Sequence, residues 1–469
     1  MATNGQKHTV VLMVPFPLQG HLNQLLHLSR LISAYGIPVH YAADASHNHQ
    51  ARRRIQGWDP LSISNNNIIF HELPSLSFRS PPPDPNAPIP FPSHLQPLID
   101  ATSGLRRPVI EIIRRLCAES RRVVIIYDSL MGSVIQDFVG LPNAEAYTFH
   151  SVSAYAIFFF LWESLRRPFQ VANEILGNLP SPEGCFTPEF KRFVRAQHEY
   201  AKLSSGRVYN TCRVLERPFM ELLEKPDISG GKKQWALGPF NPVEKTESGR
   251  ELKKGSCLKW LDGLGPNSVI LVSFGTTTTL SEKQIQELAM GLERSEQSFI
   301  WVLRDADRGD DVILNGNDVI KKVNILPEGF EERVRERGIV VRDWAPQLEI
   351  LGHFAVGGFM SHCGWNSCME SISMGVPIAA WPMHSDQPKN AVLVTEILRI
   401  GLLVRDWGRR DEILKASNIE SGVRRLMASQ EGAEARKRAA ELSAAVREAM
   451  ATGGSAQLEF DSFISHITR

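Results

Sequence analysis

The sequence predicts an α/β protein built of two doubly wound, parallel-sheet halves, and three observations support this. A continuous apolar run, Val10–Val14, is typical of a buried parallel strand, and a loop, a helical pattern and another apolar run follow it. Units of this kind recur along the chain. A polar stretch rich in glycine and lysine, Gly230–Gly255, separates two such series, so two halves fit the 469 residues better than one large sheet.

The individual elements follow from the spacing of apolar residues. In the first half, strands are predicted at Val10–Val14, Val39–Ala42, Val123–Tyr127 and Val208–Thr211, with a helix over His21–Ala34 that stops at Gly36. In the second half, strands are predicted at Val269–Phe274, Phe299–Leu303, Gly338–Val341, Val356–Met360 and Ile378–Trp381, with helices at Ser281–Leu292 and Asn366–Met374. The spacing of Phe460, Phe463, Ile464 and Ile467 predicts a closing amphipathic helix. We expect an N-terminal domain at 1–240, a linker at 241–255, a C-terminal domain at 256–450 and the closing helix at 451–469.

Composition and charge exclude several classes of protein. Hydrophobic residues make up 43% of the chain and charged residues 22%, as in an ordinary globular protein. With 52 basic and 51 acidic residues, nothing suggests nucleic acid or an anionic membrane as partner. No apolar run approaches the roughly 20 residues of a membrane span, and the first residues lack a signal-peptide pattern. Six scattered cysteines without a Cys-x-x-Cys motif indicate reduced thiols, and we expect a cytoplasmic protein.

Two segments allow two interpretations each. The proline-rich segment 81–92 fits a surface linker or a semi-rigid loop over a pocket. The aromatic run Phe158–Trp162 fits a core helix or the lining of a pocket for an aromatic acceptor.

Candidate nucleotide-binding residues follow the predicted strand Val356–Met360. A helix opens shortly after it, and a helix N-terminus suits a phosphate because it carries unpaired N–H groups and a partial positive charge. Asn366 and Ser367 can cap this helix or donate to phosphate oxygens, and Glu370, one turn further on, can accept the hydroxyls of a ribose. An ordinary capped helix explains the same pattern.

Three residues at the edges of this region are weaker candidates. Trp344 can stack on a base but fits a core position equally well. Asp386 and Gln387 can bind vicinal sugar hydroxyls or form a solvated turn before the helix that Pro388 starts.

A candidate catalytic base lies in the first half. His21 stands at the predicted start of the first helix, and Asp128 directly follows the strand Val123–Tyr127. Because ligands of α/β sheets bind beyond the carboxyl ends of the strands, two parallel strands would bring these side chains to one edge. The helix N-terminus disfavours an imidazolium, so the neutral ring can accept a proton while the carboxylate orients it. A helix-start histidine without a chemical role is the alternative.

The motifs together resemble a known family. The segment Trp344–Gln387 resembles the complete signature motif of the plant family 1 UDP-sugar glycosyltransferases. The matching residues are Trp344–Gln347, His362–Ser367, Glu370–Ser371, Gly375–Pro377 and Asp386–Gln387. Gly20-His21 and Ser273–Thr276 are also typical of that family. The resemblance implies the GT-B fold, in which two Rossmann-like, doubly wound domains face each other across a cleft and the C-terminal helix returns to the first domain.

The resemblance also implies roles for single residues. It implies uridine stacking by Trp344, uracil or ribose contacts from Ala345 and Gln347, diphosphate contacts from Thr276, His362, Asn366 and Ser367, ribose binding by Glu370, and sugar contacts from the Trp365 backbone, Asp386 and Gln387. The family's catalytic His–Asp pair matches His21 and Asp128, and a Ser or Thr that contacts the sugar matches Ser151. Gln24 departs from the proline that is common in the family.

A finer resemblance extends along nearly the full chain. Phe16–Arg30, Tyr147–Ala154 and Trp381–Gln387 are similar to the zeatin O-glucosyltransferase branch, in which Gln24 is the usual residue. This implies inverting transfer of glucose from UDP-glucose to the side-chain hydroxyl of zeatin, a purine cytokinin, and so reversible inactivation of the hormone. We expect a monomer that binds these two small molecules and needs no metal or other cofactor, because helix dipoles offset the charge of the departing diphosphate. The zeatin isomer, and glucose against xylose, stay open.

Other functions are weighed against this one. A hormone-binding protein without turnover is disfavoured by the His21–Asp128 pair, and a nicotinamide-dependent oxidoreductase by the lack of a Gly-x-Gly-x-x-Gly motif after Val10–Val14. A glucosyltransferase acting on a flavonoid or other phenol is the main competitor. Asp305-Ala306-Asp307 has the Asp-x-Asp form of manganese-dependent glycosyltransferases, but the glycine and acidic residues after it favour a solvated loop.

Overall fold

The computed structural model describes residues 8–58, 68–176, 179–244, 256–307 and 325–469, which form two parallel sheets covered by helices. The strands of the first sheet are β1 (Thr9–Val14), β2 (Val39–Asp44), β3 (Ile68–Leu73), β4 (Arg122–Asp128), β5 (Ala144–His150), β6 (Gly206–Tyr209) and β7 (Lys233–Ala236). Those of the second sheet are β8 (Val269–Ser273), β9 (Ser298–Val302), β10 (Gly338–Val341), β11 (Val356–Ser361), β12 (Ile378–Ala380) and β13 (Gly401–Leu403). Every strand pair is parallel, which confirms the predicted fold class.

Helices fill the connections between these strands. The first half contains α1 (Gln19–Ser33), α2 (Ala45–Arg54), α3 (Gln96–Ala101), α4 (Arg106–Glu119), α5 (Gly132–Ile135), α6 (Ala154–Ser164), α7 (Asn173–Leu176), α8 (Pro188–His198), α9 (Arg213–Glu224) and α10 (Pro226–Ser229). The second half contains α11 (Ser256–Leu261), α12 (Glu282–Ser295), α13 (Phe330–Val334), α14 (Gln347–Gly352), α15 (Trp365–Met374), α16 (Gln387–Val392), α17 (Ala416–Ala428), α18 (Gln430–Met450) and α19 (Ser455–Thr468). Within the described ranges, none of the helices has both the length and the apolar composition that crossing a membrane requires.

The strand orders fix where a ligand can bind. The first sheet runs β3-β2-β1-β4-β5-β6-β7 and the second β10-β9-β8-β11-β12-β13. In the first sheet, successive strands are added on one side of β1 up to β3 and then, from β4 onward, on its other side. The second sheet has the same reversal between β8 and β11. In open α/β sheets, ligands bind beyond the carboxyl ends of the strands at such switch points. Each half thus offers one site, at the ends of its two central strands.

Both faces of the first sheet are buried, which explains its uninterrupted apolar strands. Val11 and Met13 face the core beneath α1, whereas Leu12 and Val14 face the core beneath α4. The closing helix α19 belongs to the first of these cores, where Phe463 and its neighbours pack near Trp235 of β7. In addition, the Glu459 carboxylate accepts hydrogen bonds from the Ala236 amide and the Arg213 side chain.

Some elements differ from the sequence predictions. Helix α1 begins at Gln19, two residues before the predicted start. Strand β7 lies inside the stretch Gly230–Gly255, which looked like connecting chain because its residues are polar. Strands β3, β5 and β13 were not predicted, because they are short or mix polar with apolar residues. Of the expected linker at 241–255, residues from 245 onward lie outside the described residues.

Candidate active site

A cleft of about 1100 Å³ lies at the carboxyl ends of the central strands and is lined by residues of both halves. The first half contributes the loops that follow β1, β4 and β5, and the second half those that follow β8 and β11. The two sites that the strand orders indicate are therefore parts of one continuous cleft.

The predicted base and its carboxylate partner lie together. Nδ1 of His21 is 2.7 Å from Oδ2 of Asp128, which is fully buried, while His21 lines the cleft. His21 lies shortly after strand β1, and Asp128 is the last residue of strand β4. These strands are neighbours, with Val14 of β1 paired to Tyr127 of β4. The second oxygen of Asp128 accepts from the Leu130 amide at 3.0 Å, which fixes the carboxylate. The imidazole is thereby held with Nδ1 towards the carboxylate, which leaves Nε2 as the proton acceptor.

On the opposite wall, helix α15 begins without a side-chain cap. The residue at the N-cap position is Gly364, which has no side chain to accept from the first N–H groups of the helix. These groups are therefore free for a ligand. The turn from β11 into α15 has its left-handed residue at Cys363, with φ 64°, rather than at the glycine. The helix also opens at Trp365, one residue before the predicted start.

The glycines around this turn make room for a histidine. A Cβ on Gly364 would come within 2.5 Å of Nε2 of His362, and one on Gly275, after β8, within 2.6 Å of the same atom. Gly275 also has φ 79°, which side chains disfavour. Burial lowers the pKa of His362 to about 4, so its ring is neutral and can donate one hydrogen bond to a phosphate oxygen.

The first two residues of α15 cross the cleft to the first half. Nδ2 of Asn366 donates to the Gly20 carbonyl at 2.7 Å, directly beside His21. Nε1 of Trp365 donates to the Asn210 carbonyl at 2.9 Å. The tip of the candidate phosphate helix is thus hydrogen-bonded to the helix that carries the candidate base.

The ribose candidates form one hydrogen-bonded group. Nε2 of Gln347 donates to Ser367 at 2.9 Å and to the Glu370 carboxylate at 2.7 Å, and all three residues line the cleft. Burial raises the pKa of Glu370 to about 7. The carboxylate is therefore close to its titration point near neutral pH.

The sugar candidates lie at the start of α16. Oε1 of Gln387 accepts from the Met383 and His384 amides at 2.9 and 3.0 Å. Its Nε2 lies 3.3 Å from Nδ1 of His384, so one of its two N–H groups is left for a ligand. Asp386 accepts from Asn390 at 2.6 Å, and burial raises the pKa of its carboxyl to about 6. Both residues face the same cleft as His21.

Trp344, Ala345 and Thr276 also line the cleft. The Arg54 guanidinium lies 5.0 Å from the centre of the Trp344 ring, and it pairs at 2.6 Å with Asp307. Asp307, the second acid of the Asp-x-Asp sequence, thus forms an ion pair between the two halves, whereas Asp305 is exposed as expected of a solvated loop.

The part of the cleft that the first half lines contains a cluster of aromatic side chains. Phe91, Phe160, Phe186 and Phe190 line it, and Phe91 lies 4.7 Å from Phe190 between ring centres. The end of the proline-rich segment therefore does form part of a pocket. Of the aromatic run, Phe158 is buried in a core, as the core-helix interpretation predicts, whereas Phe160 lines the cleft. Ser151, just after β5, lines the cleft as well.

Comparison with known proteins places this site in a family. Residues 7–242 match the family described as glycosyltransferase, N-terminal domain, and residues 251–402 match UDP-glucoronosyl and UDP-glucosyl transferase. The chain belongs to the plant family 1 UDP-glycosyltransferases. It is an enzyme that transfers a sugar from a UDP donor.

The most informative relatives of this glycosyltransferase are three. A zeatin O-glucosyltransferase of Phaseolus lunatus is 53% identical over 98% of this chain and 97% of its own. A zeatin O-xylosyltransferase of Phaseolus vulgaris is 49% identical over the full length of both chains, and a cis-zeatin O-glucosyltransferase of Zea mays is 41% identical over both.

Solved structures of the family share the fold. A glycosyltransferase of Siraitia grosvenorii in complex with UDP has a TM-score of 0.75 at 28% identity, covering 98% of this chain and all of that one. A Phytolacca americana enzyme in complex with UDP-2-fluoro-glucose and pterostilbene has the same score at 24% identity and shows the fold alone. The expected GT-B architecture of this glycosyltransferase is thus confirmed.

Several residues in or beside the cleft of this glycosyltransferase were not predicted from the sequence. Arg54 and Gln56 reach the Trp344–Ala345 segment from the first half, and Gln56 accepts from the Leu348 amide at 2.6 Å. No local pattern marks them, since only the packing of the two halves brings them there. For Gln24 a signal did exist, because it departs from the residue common in the family.

Proposed function

We propose that this glycosyltransferase moves glucose from UDP-glucose to the side-chain hydroxyl of zeatin, with inversion at the anomeric carbon. The observation that carries the proposal is the His21–Asp128 pair beside the open N-terminus of α15, to which Gly20 is bonded through Asn366. Similarity to the zeatin O-glucosyltransferases supports the choice of acceptor. The aromatic end of the cleft suits a flat purine, which can stack between phenylalanine rings.

In the proposed reaction, Nε2 of His21 takes the proton from the zeatin hydroxyl. The hydroxyl oxygen bonds to the anomeric carbon while the bond from that carbon to the phosphate oxygen breaks, and UDP leaves with the electron pair. The Asp128 carboxylate stabilises the imidazolium that forms. Because the displacement is a single step from the opposite face, the configuration of the anomeric carbon inverts.

The donor is assigned to the second half. We propose that uracil stacks on Trp344 and contacts Ala345 and Gln347, that Glu370 binds the ribose, and that Asp386, Gln387, Ser151 and the Trp365 backbone bind the sugar. The diphosphate is assigned to Thr276, His362, Asn366, Ser367 and the free N–H groups of α15. Their hydrogen bonds and the helix dipole offset the negative charge that develops on UDP, so the proposed reaction needs no metal. Full activity after treatment with EDTA is the expected result.

Glucose is the proposed sugar, although one relative is named for xylose transfer. The oxygen of Gln387 is bound by two backbone amides, and its nitrogen contacts the His384 ring through one N–H, so the other N–H can donate to a sugar hydroxyl. Xylose lacks the hydroxymethyl group of glucose. The difference in kcat/KM between UDP-glucose and UDP-xylose therefore measures what the contacts to that group contribute.

The decisive experiment is an acceptor panel with the purified protein. UDP release is measured with trans-zeatin, cis-zeatin and a flavonoid, each with UDP-glucose and with UDP-xylose. We expect the highest kcat/KM for a zeatin isomer with UDP-glucose. A higher value for the flavonoid would replace the proposed acceptor with a phenol, and UDP binding without any UDP release would indicate a binding protein.

We further propose the division into an acceptor-binding domain at 1–240, a donor-binding domain at 256–450 and a closing helix at 451–469. A cytoplasmic monomer is proposed as well, supported by the free thiols of all six cysteines. Fractionation of cells that express the tagged chain, and light scattering of the purified protein, test these two statements.

A further inference from the structure

Gln24 is a buried polar side chain to which no role has been assigned so far. It is 3% exposed and lies on α1, one turn after Gly20. Its Nε2 donates to the Ser151 carbonyl at 3.0 Å and to the Gly20 carbonyl at 3.2 Å. Its Oε1 accepts from Nδ2 of Asn210 at 3.1 Å. Both ends of the amide are therefore occupied, and both carbonyl partners, Gly20 and Ser151, are residues that line the cleft.

Contacts with the second half of the chain extend this group of hydrogen bonds into a closed ring. The Asn210 carbonyl accepts from Trp365, and the Gly20 carbonyl accepts from Asn366, the next residue along α15. A ring of hydrogen bonds thus runs from Gly20 through Gln24, Asn210, Trp365 and Asn366 back to Gly20. It crosses between the halves twice, and His21 is covalently attached to one of its members.

We propose that Gln24 is a positioning residue, which sets the distance and angle between His21 and the diphosphate-binding tip of α15. The inference rests on the proposed function, since it assigns the proton to His21 and UDP to α15. Only an amide fits all the partners, because two carbonyls require a donor while Nδ2 of Asn210 requires an acceptor. An apolar replacement breaks the ring and leaves Asn210 and Ser151 each without one partner.

The expected effect is on turnover rather than on donor binding. A misplacement of the reacting groups by about 1 Å lowers rates roughly a hundredfold, whereas the donor contacts themselves remain in place. For Gln24→Met we expect kcat with UDP-glucose and zeatin to fall about 10- to 100-fold. The Kd of UDP-glucose, from calorimetry, is expected to change by less than about threefold, because Gln24 is not among the proposed donor contacts.

A double-mutant cycle separates positioning from general damage. Trp365→Phe removes the indole N–H on the far side of the ring from Gln24, and Asn210 is hydrogen-bonded to both side chains. If the ring acts as one unit, the kcat loss of the double variant is clearly smaller than the product of the two single losses. Local destabilisation of either domain predicts a multiplicative loss instead.

Controls cover folding and the underlying function. Gln234→Met removes another buried glutamine of the first half, which accepts from Tyr209 and lies outside the ring, and it is expected to keep kcat. If Gln24→Met does not fold, Gln24→Glu tests the same point, since it keeps the acceptor for Asn210 and loses both donated bonds at pH 8. Wild-type kcat in a folded Gln24 variant, or a multiplicative cycle, overturns the inference. Inactivity of the wild-type protein with zeatin instead refutes the proposed function.

Discussion

Nδ1 of His21 lies 2.7 Å from a carboxylate oxygen of Asp128, whose side chain is completely shielded from solvent. The carboxylate holds the ring through one nitrogen, and the other nitrogen is the proposed acceptor of the proton. In the same cleft, Asn366 bonds to the carbonyl of Gly20, the residue preceding this histidine. The candidate base and the candidate phosphate site are therefore arranged with respect to one another by direct contacts.

The His21–Asp128 pair gives the first prediction. His21→Ala is expected to abolish sugar transfer while the Kd of UDP-glucose stays within a few-fold of the wild-type value. Asp128→Asn is expected to lower kcat by about 10²- to 10⁴-fold, because an amide favours the wrong tautomer of the ring. Initial rates of UDP release and calorimetric titrations measure both effects.

The chain offers a matched control for this pair. His47 and Asp44 form a second His–Asp contact of 2.7 Å, which is buried and does not line the cleft. His47→Ala is expected to lower stability but to keep kcat near the wild-type value. Equal loss of transfer in the His21 and His47 variants would contradict the assignment of the base.

Glu370 gives a prediction about pH and donor binding. Ribose hydroxyls donate more strongly to an ionised carboxylate than to a protonated one, and burial raises the pKa of this group to about 7. The affinity for UDP-glucose is therefore expected to fall as the pH drops from 8 to 6. Glu370→Gln is expected to bind UDP-glucose about tenfold more weakly and without this pH dependence. A steep pH dependence that persists in the variant would show that another group is responsible.

The same carboxyl group makes the stability of the fold depend on pH in the opposite direction to donor affinity. Its pKa is raised in the folded, empty protein, so the folded state binds a proton that the unfolded chain releases between about pH 4.5 and pH 7. Stability is thus lost as the pH rises through this window. At pH 8, Glu370→Gln is expected to increase the free energy of unfolding by about 1–3 kcal/mol, measured by urea denaturation. An unchanged or lower stability would mean that the carboxyl is not destabilising when charged.

The glycine before α15 gives a third prediction. A methyl group on Gly364 would meet the His362 ring, so Gly364→Ala is expected to displace that ring and raise the KM for UDP-glucose about tenfold. The KM for zeatin is expected to change little. Gly140→Ala serves as control, because nothing lies within 4 Å of the added Cβ. A wild-type KM in the Gly364 variant would show that the His362 ring can move aside without weakening the binding of UDP-glucose.

The closing helix gives a prediction about stability. Phe463 is fully buried between Tyr147 and Trp235, so Phe463→Ala is expected to lower the free energy of unfolding by about 3–5 kcal/mol. Leu458→Ala on the same helix is the control, since its side chain is 57% exposed. Thermal denaturation of the two variants measures the difference. A loss below about 1 kcal/mol for Phe463 would indicate that the helix contributes little to this core.

Much of the fold followed from local patterns. Strands buried on both faces must be apolar throughout, so the strands predicted at Val10–Val14 and Val269–Phe274 follow from their runs of apolar residues, and the structure has strands there. Strand β7 was not predicted, because its side of the sheet is completed by α19, more than two hundred residues later in the chain. Local sequence cannot show which distant helix covers a polar-looking segment.

The sequence by itself determined the family, the two sheets and the residue types that can handle a proton and a diphosphate, because these depend on motifs that are short and local. Only the tertiary structure decided how these residues meet. It placed Gln24 and Asn210 in a hydrogen-bonded ring with α15, Arg54 over Trp344, and His362 against two glycines. These contacts join segments that are far apart in the chain, and their geometry depends on how the two halves pack, which no local pattern encodes.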